Sequence, residues 1–437
     1  MAFGGTNPLL LKKAADDYAV TKSCRFDSAS SSGLSRDPDA DGDRQTFTFA
    51  CWIKRAKLGT VQRIISSAHS TADDRLAFKA DDTLEWNCQT NPSLNVNDYT
   101  KAKFRDVAAW LHVCLSVDTT QAAAADRIRL YVNGVLQEMN GDNQPPIDTV
   151  FGLMGTGYIL TIGSYTATAE YIDGYLGDIH FVDGTAAAPT AFAEEDATTG
   201  QWKPKAFSGT YGTNGFHLDF EDADAIGNDV SGNDNDFTAT NLAASDVVED
   251  TPTDNYCTLS PIDATSAQTF SEGNLKVSYS AGAYTAGGRS TFAIPSTGDW
   301  YWEATCTAVA QNYIGILDLS VPIVGTVSNV IYSSPDFYAY LQDGNKWNNG
   351  ASSYGASFTT DDVIGVALSE SGDLTFYKNG TTQGTAFTGL TPENFSPAYI
   401  AYSGAAWLFN FGQSDFAHTP PTGFLALSTA NLPTPPI

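Results

Sequence analysis

The sequence predicts an all-β protein: two antiparallel β-sandwich (jelly-roll) domains in tandem with a short N-terminal extension. Two alternating stretches, Leu130-Tyr131-Val132-Asn133-Gly134 and Phe376-Tyr377-Lys378-Asn379-Gly380, each run into an Asn-Gly pair. Asn-Gly marks a two-residue hairpin because both turn residues must accept positive φ. Each hairpin also sits within its own series of short, evenly spaced strand signals. Finally, the chain of 437 residues exceeds the roughly 250–300 residues at which one core stops growing.

The first series opens at Cys24-Arg25-Phe26. In Phe47-Thr48-Phe49-Ala50-Cys51-Trp52-Ile53-Lys54, period-two alternation places Phe47, Phe49, Cys51 and Ile53 on one face. Arg63 to Ser67, Leu76 to Lys79, Trp110 to Val117, Ile128 to Val132 and Ile159 to Gly163 read as further strands, and Gly174 to Val182 closes the series. Residues 185–260 break the rhythm and read as connecting segments, with a last strand at Gly215 to Phe220 and a joint at Thr251-Pro252-Thr253-Asp254. The second series comprises Trp300 to Cys306, Tyr313 to Leu317, Phe337 to Leu341, Val363 to Leu368, Leu374 to Tyr377 and Trp407 to Gln413. The expected divisions are an N-terminal peptide at 1–19, a jelly roll with connector at 20–260, a second sandwich at 261–427 and a Pro-rich tail at 428–437.

Composition fits this plan. Charged residues make up 17%, against roughly 25% in ordinary soluble proteins. The net charge is −27, and beyond residue 250 the basic residues are Lys276, Arg289, Lys346 and Lys378. Nucleic-acid binding needs clustered Lys and Arg, and an anionic membrane surface needs the same, so neither partner is expected. The start, Met1 to Lys13, has charges after a three-residue apolar run and does not read as a signal peptide; synthesis and retention in a cytoplasm are expected. Cys24, Cys51, Cys88, Cys114, Cys257 and Cys306 are widely spaced without Cys-x-x-Cys, so reduced thiols packing as small hydrophobes are expected, with no metal site and no cofactor.

The ordered pieces Trp110-x-His112-Val113, Leu130 to Gly134, Ile162-Gly163 and Gly174-x-Leu176-x-Asp178-Ile179-His180-Phe181 resemble a laminin-G-like, concanavalin-A-like jelly roll. Cys24 to Asp27, Phe47 to Lys54 and the Gly227 to Phe237 stretch resemble the form of that domain common in bacteriophage tail-fibre proteins. Tyr301-Trp302-Glu303, Ile314-Gly315-Ile316, Asp362 to Leu368, Phe376 to Gly380, Pro397-Ala398 and Asn410-Phe411-Gly412-Gln413 are similar to a SPRY domain, with Phe416 and Pro421-x-Gly423-Phe424 completing the set. Both families are binding modules, and SPRY ligand surfaces are built from loops that vary among members.

The resemblance implies a non-enzymatic virion protein, a phage tail fibre or receptor-binding protein, with a head fibre or decoration protein as the alternative. Its partners would be other virion proteins and a host surface glycan or receptor, and its assembly a homo-oligomer, a trimer by analogy with fibres. Phe3, Leu9, Leu10 and Leu11 would attach it to the particle. Ligand contact is expected at Tyr340, Trp347, Asn348 and Tyr354, an aromatic and amide-rich loop suited to stacking on sugar rings. A polysaccharide-degrading enzyme is the different-class alternative. Related jelly-roll hydrolases carry Glu-x-Asp-x-x-Glu on one strand; Glu194-Glu195-Asp196 and Glu221-Asp222-Ala223-Asp224 do not repeat that spacing. Asp219, Asp222, Asp224, Asp229, Asn233, Asp234 and Asp236 read as turn formers, with calcium ligation as the competing reading. His69, His112, His180, His217 and His418 read as structural.

Overall fold

A computed structural model describes residues 18–69, 72–90, 94–141, 143–165, 169–266, 268–280, 286–323 and 329–432. The chain is all-β, and its described residues divide into two units, one ending at Thr253 and the other beginning at Asp254. A four-residue turn, Asn329–Tyr332, is the one α-helix among the described residues.

The N-terminal unit is a sandwich of two antiparallel sheets. One runs Val135–Leu136, Ile128–Val132, Leu111–Asp118, Thr46–Arg55, Gly174–Asp183, Ser23–Phe26 and Val247–Val248, with Phe216–Leu218 also pairing on Gly174–Asp183. The other runs Thr238–Thr240, Gly33–Arg36, Ile159–Ile162, Gln62–His69, Ala72–Phe78, Thr83–Thr90 and Leu94–Lys103. Period-two alternation decides which side chains enter the space between them. Phe47, Phe49, Cys51 and Ile53 all lie in that core, as the sequence pattern requires. Asn133 and Gly134 adopt φ of 47° and 75°, closing Val132 onto Val135 as a two-residue hairpin.

The outward face of the first sheet is also covered. Residues 187–211, part of the 185–260 stretch that the sequence reads as connecting, supply most of the cover. The hairpin Ala193–Glu195 with Trp202–Pro204 sets Trp202 beside Trp52, Trp110 and Tyr175. Phe192, Phe207 and Tyr211 lie over Ala50, Cys114 and Val182. The fit is close: a Cβ added to Gly134 would sit 2.6 Å from the Trp202 ring. Lys54 and Asp250 meet beneath this layer at 2.7 Å, both side chains essentially inaccessible.

The C-terminal unit repeats the architecture with its own core. One sheet runs Leu259–Ala264, Ala286–Ser290, Phe395–Ala401, Asn312–Asp318, Phe337–Leu341, Asn345–Trp347 and Ala351–Ser353. The other runs Thr269–Ser271, Lys276–Ser278, Ala406–Asn410, Asp299–Ala308, Val363–Leu368, Leu374–Lys378 and Thr381–Phe387, with Phe424–Ala426 parallel to Asp299–Ala308. Trp300, Trp302, Trp407 and Tyr399 fill the space between them. Asn379 and Gly380 at φ 47° and 74° close the second predicted hairpin.

Candidate functional site

Among the described residues, one chemistry-bearing cluster lies on the outward face of the first sheet of the N-terminal unit, under the covering layer. It arises from a fault in the strand pattern. Gly174–Asp183 pairs with Thr46–Arg55 regularly as far as Gly177↔Trp52, and resumes at His180↔Ala50. Two residues, Asp178 and Ile179, therefore face one, Cys51. This is a β-bulge, with Asp178 at φ 48°. The extra residue resets the alternation. Leu176 and Ile179, three apart, both point into the core, while Asp178 and His180 both point away from it. Strand Phe216–Leu218 then pairs so that His217 is opposite His180.

The outcome is a compact polar group in an apolar setting. His217 Nε2 lies 2.8 Å from Asp178 Oδ1, and His180 Nε2 lies 3.1 Å from the same oxygen. The two imidazoles stack at 4.2 Å between centroids, 18° from parallel. Tyr18 donates its hydroxyl to Asp178 Oδ1 at 2.8 Å, and Tyr211 Oη is 2.8 Å from His180 Nδ1. Burial alone would raise the Asp178 carboxyl, but His180 and His217 outweigh it and hold it well below the usual carboxylate range. Burial pushes the His180 imidazole down against the pull of Asp178, and drives nearby His112 down to about 3. Burial and the Asp178 charge both push the Tyr18 and Tyr211 phenols up.

The sequence pattern marks His180 and His217 as structural and does not single out Asp178. The signal was present in the core residues Leu176 and Ile179, whose odd spacing marks a bulge. No local pattern tied His217 to it.

The expected ligand residues of the C-terminal unit do not share a surface. Tyr340 is fully buried in the inter-sheet core, its hydroxyl on the Ala356 carbonyl. Tyr354 packs edge-on against it at 5.4 Å, its hydroxyl on the Gly384 carbonyl. Trp347 lies across from Ala339 on the opposite face of the sheet. There it is half-buried, stacked on Tyr332 at 4.3 Å, with its indole N–H on the Tyr332 carbonyl at 3.1 Å. The Asn348 carboxamide is held by the Pro335 carbonyl. The pleat separates them: Tyr340 and Tyr354 face inward, whereas Trp347 belongs to an outer aromatic patch with Tyr313, Tyr332 and Tyr402. Phe3, Leu9, Leu10 and Leu11 lie outside the described residues.

The acidic stretch is engaged in its own turns. Asp229 accepts the backbone N–H groups of His217, Ser231 and Asn235, and Asp236 accepts that of Asp229. Asp219 and Asp222 each cap the backbone two residues on. Glu194 faces Lys203 and Lys205, while Asp196 caps Thr198 and Thr199. All six cysteines are buried.

Residues 28–190 match the Concanavalin A-like lectin/glucanases superfamily, and residues 299–414 match the SPRY domain family. The chain carries these two modules in tandem. Among curated relatives it is 33% identical over 166 residues to Ran-binding protein 9 of Xenopus tropicalis, covering 36% of this chain and 30% of the relative. It is 32% identical over 141 residues to the E3 ubiquitin-protein ligase RKP of Arabidopsis thaliana, covering 30% of this chain and 11% of the relative. It is 32% identical over 155 residues to the ATP-dependent RNA helicase Ddx1 of Drosophila melanogaster, covering 33% and 20%. The chain thus spans less than a third of the length of these relatives. The solved human SPRY domain is 18% identical, covering 34% of this chain and 97% of that one, with a TM-score of 0.29.

These relatives correct the expected setting. The reading of a bacteriophage tail-fibre or head-fibre protein located in a virion is overturned, because the matching proteins are cellular eukaryotic ones. The tail-fibre likeness rested on Cys24 to Asp27, Phe47 to Lys54 and Gly227 to Phe237, which here form two strands of the first sheet and turns that close the sandwich. Turn chemistry of that kind follows from backbone geometry and does not specify a biological setting.

Proposed function

We propose that this chain is a non-enzymatic interaction scaffold that recognises protein partners through its SPRY unit. One observation supports the reading above others. The related segment recurs in proteins whose names describe different activities, a Ran-binding protein, a ubiquitin ligase and an RNA helicase. What is shared among them is then a means of recognition, not a reaction. The fate of the acidic residues agrees with this, since Glu194, Asp196, Asp219, Asp222 and Asp229 are occupied by turns and ion pairs. General acid and nucleophile chemistry needs carboxyls free to face a substrate.

In the C-terminal unit, the outer aromatic patch around Trp347 is the surface we assign to partner contact, with Trp347 and Tyr402 as half-buried anchors. A displayed-peptide selection against the full chain should enrich sequences whose binding weakens about tenfold or more in a Trp347→Leu, Tyr402→Ala variant. Enriched peptides bound equally well by that variant would move the site elsewhere. Release of reducing ends from a polysaccharide panel would overturn the non-enzymatic reading.

A further inference from the structure

We propose that Asp178, His180 and His217 form a binding site for a zinc-class divalent cation in the concanavalin A-like unit. Their donor atoms all lie within 4.8 Å of one another, two of them on histidine and one on carboxylate. This is a donor set of borderline hardness. It suits Zn²⁺, Co²⁺ or Ni²⁺ better than Ca²⁺ or Mg²⁺, which take oxygen ligands.

A second observation is independent of the clustering. Asp178 Oδ2 is buried and forms no hydrogen bond, and His180 Nε2 makes no aligned one although it sits 3.1 Å from Asp178 Oδ1; the two side chains are only 2% and 1% exposed. Each such group costs free energy to desolvate, and buried polar atoms without partners are rare in folded proteins. Both atoms belong to the same three-residue cluster, and one cation would engage both.

The surroundings resemble a second shell. Tyr211 holds His180 at Nδ1 and Tyr18 holds Asp178 at Oδ1, each at 2.8 Å. In the tautomer that donates Nδ1–H to Tyr211, His180 presents the Nε2 lone pair toward the carboxylate. The backbone is committed to the same end. Asp178 occupies the left-handed region in a bulge, a local cost that persists only where the surroundings impose it. Entry is through His217, the most exposed of the three side chains at 16%. The parallel stack of the imidazoles directs their lone pairs side by side, so capture requires the two rings to splay. The site should therefore bind more weakly than a preformed structural zinc centre.

The test uses the full chain, stripped with chelator, and titrated with Zn²⁺ by calorimetry and with Co²⁺ by visible absorbance. A single equivalent should bind, with cobalt bands of a low-coordinate site and a raised thermal midpoint for the N-terminal unit. His217→Gln and Asp178→Asn should each weaken Zn²⁺ binding about tenfold or more, while His418→Gln, in the other unit, should bind like the parent. Far-UV circular dichroism checks that each variant is folded, and His217→Cys, which restores a ligand atom, should recover binding. Absence of binding by the parent chain overturns the proposal, as does binding that survives both His217→Gln and Asp178→Asn.

Discussion

Replacing Asp250 with alanine should destabilise the N-terminal unit by about 4 kcal/mol. The Asp250 carboxylate takes the Lys54 ammonium on Oδ2 at 2.7 Å and the Trp110 indole N–H on Oδ1 at 3.0 Å. Its main-chain carbonyl takes the Ser23 hydroxyl at 2.6 Å. Lys54 and Asp250 are 1% and 0% exposed, so solvent cannot replace a lost partner without reorganisation. Breaking such a buried pair from one side costs roughly 3–5 kcal/mol, chiefly because a charge is left buried and unpaired. For a unit of this size, 1 kcal/mol moves the melting temperature by roughly 2–4 °C, so a fall of about 8–16 °C is expected. Each unit has its own core, and calorimetry of the full chain should therefore show one transition moving while the other stays. The double replacement Lys54→Met, Asp250→Leu removes both charges and should recover most of the loss. A loss below about 1 kcal/mol in Asp250→Ala, or a double variant no better than the single, would refute the reasoning that the buried Lys54–Asp250 pair ties the Asp250 segment into the sandwich.

The other unit offers a matching control. A Cβ at Gly315 would lie 1.8 Å from the Tyr338 carbonyl oxygen on the neighbouring strand, so Gly315→Ala should cost roughly 3 kcal/mol and move only the second transition. Glu303, buried in the same unit, accepts the Tyr301 hydroxyl and the Ala417 and His418 backbone N–H groups; Glu303→Ala should cost about 3 kcal/mol, visible in urea unfolding followed by fluorescence. Asp74 supplies a pH prediction. Burial pushes its carboxyl from 3.8 up to about 6, against the backbone N–H groups of Gln89, Gly152 and Leu153. The folded protein thus holds this proton where the unfolded chain has released it. Stability from Asp74 is full below about pH 4 and falls by roughly 3 kcal/mol as pH rises through 6. The stability difference between parent and Asp74→Asn should shift by that amount across the window; a difference independent of pH would contradict it.

Local rules were enough for much of this architecture. Alternation in Phe47 to Ile53 named the side chains that enter the first core, and the two Asn-Gly pairs named the turns that close. Both follow from constraints acting within a few residues: the period of the pleat, and the positive φ that Asn and Gly tolerate. The motifs resembling a laminin-G-like and a SPRY domain named the two kinds of module, which the family matches at 28–190 and 299–414 support. Biological setting was not so encoded, because turn-rich motifs are shared by sandwiches of many functions.

Tertiary structure decided the rest. Tyr340 and Trp347 are close in sequence, yet strand pairing sends one into the core and the other to the outer face. Asp178 and His217 are 39 residues apart, and meet only because a one-residue bulge turns Asp178 outward and a short strand pairs at that level. The stretch from 187 to 211 carries weak strand signals, and its role came from an outward sheet face whose Trp52, Trp110 and Tyr175 needed cover. Register and the burial of an exposed apolar face are properties of the assembled sheets. Free energy of that kind is settled between distant segments, and no window of sequence contains both sides of it.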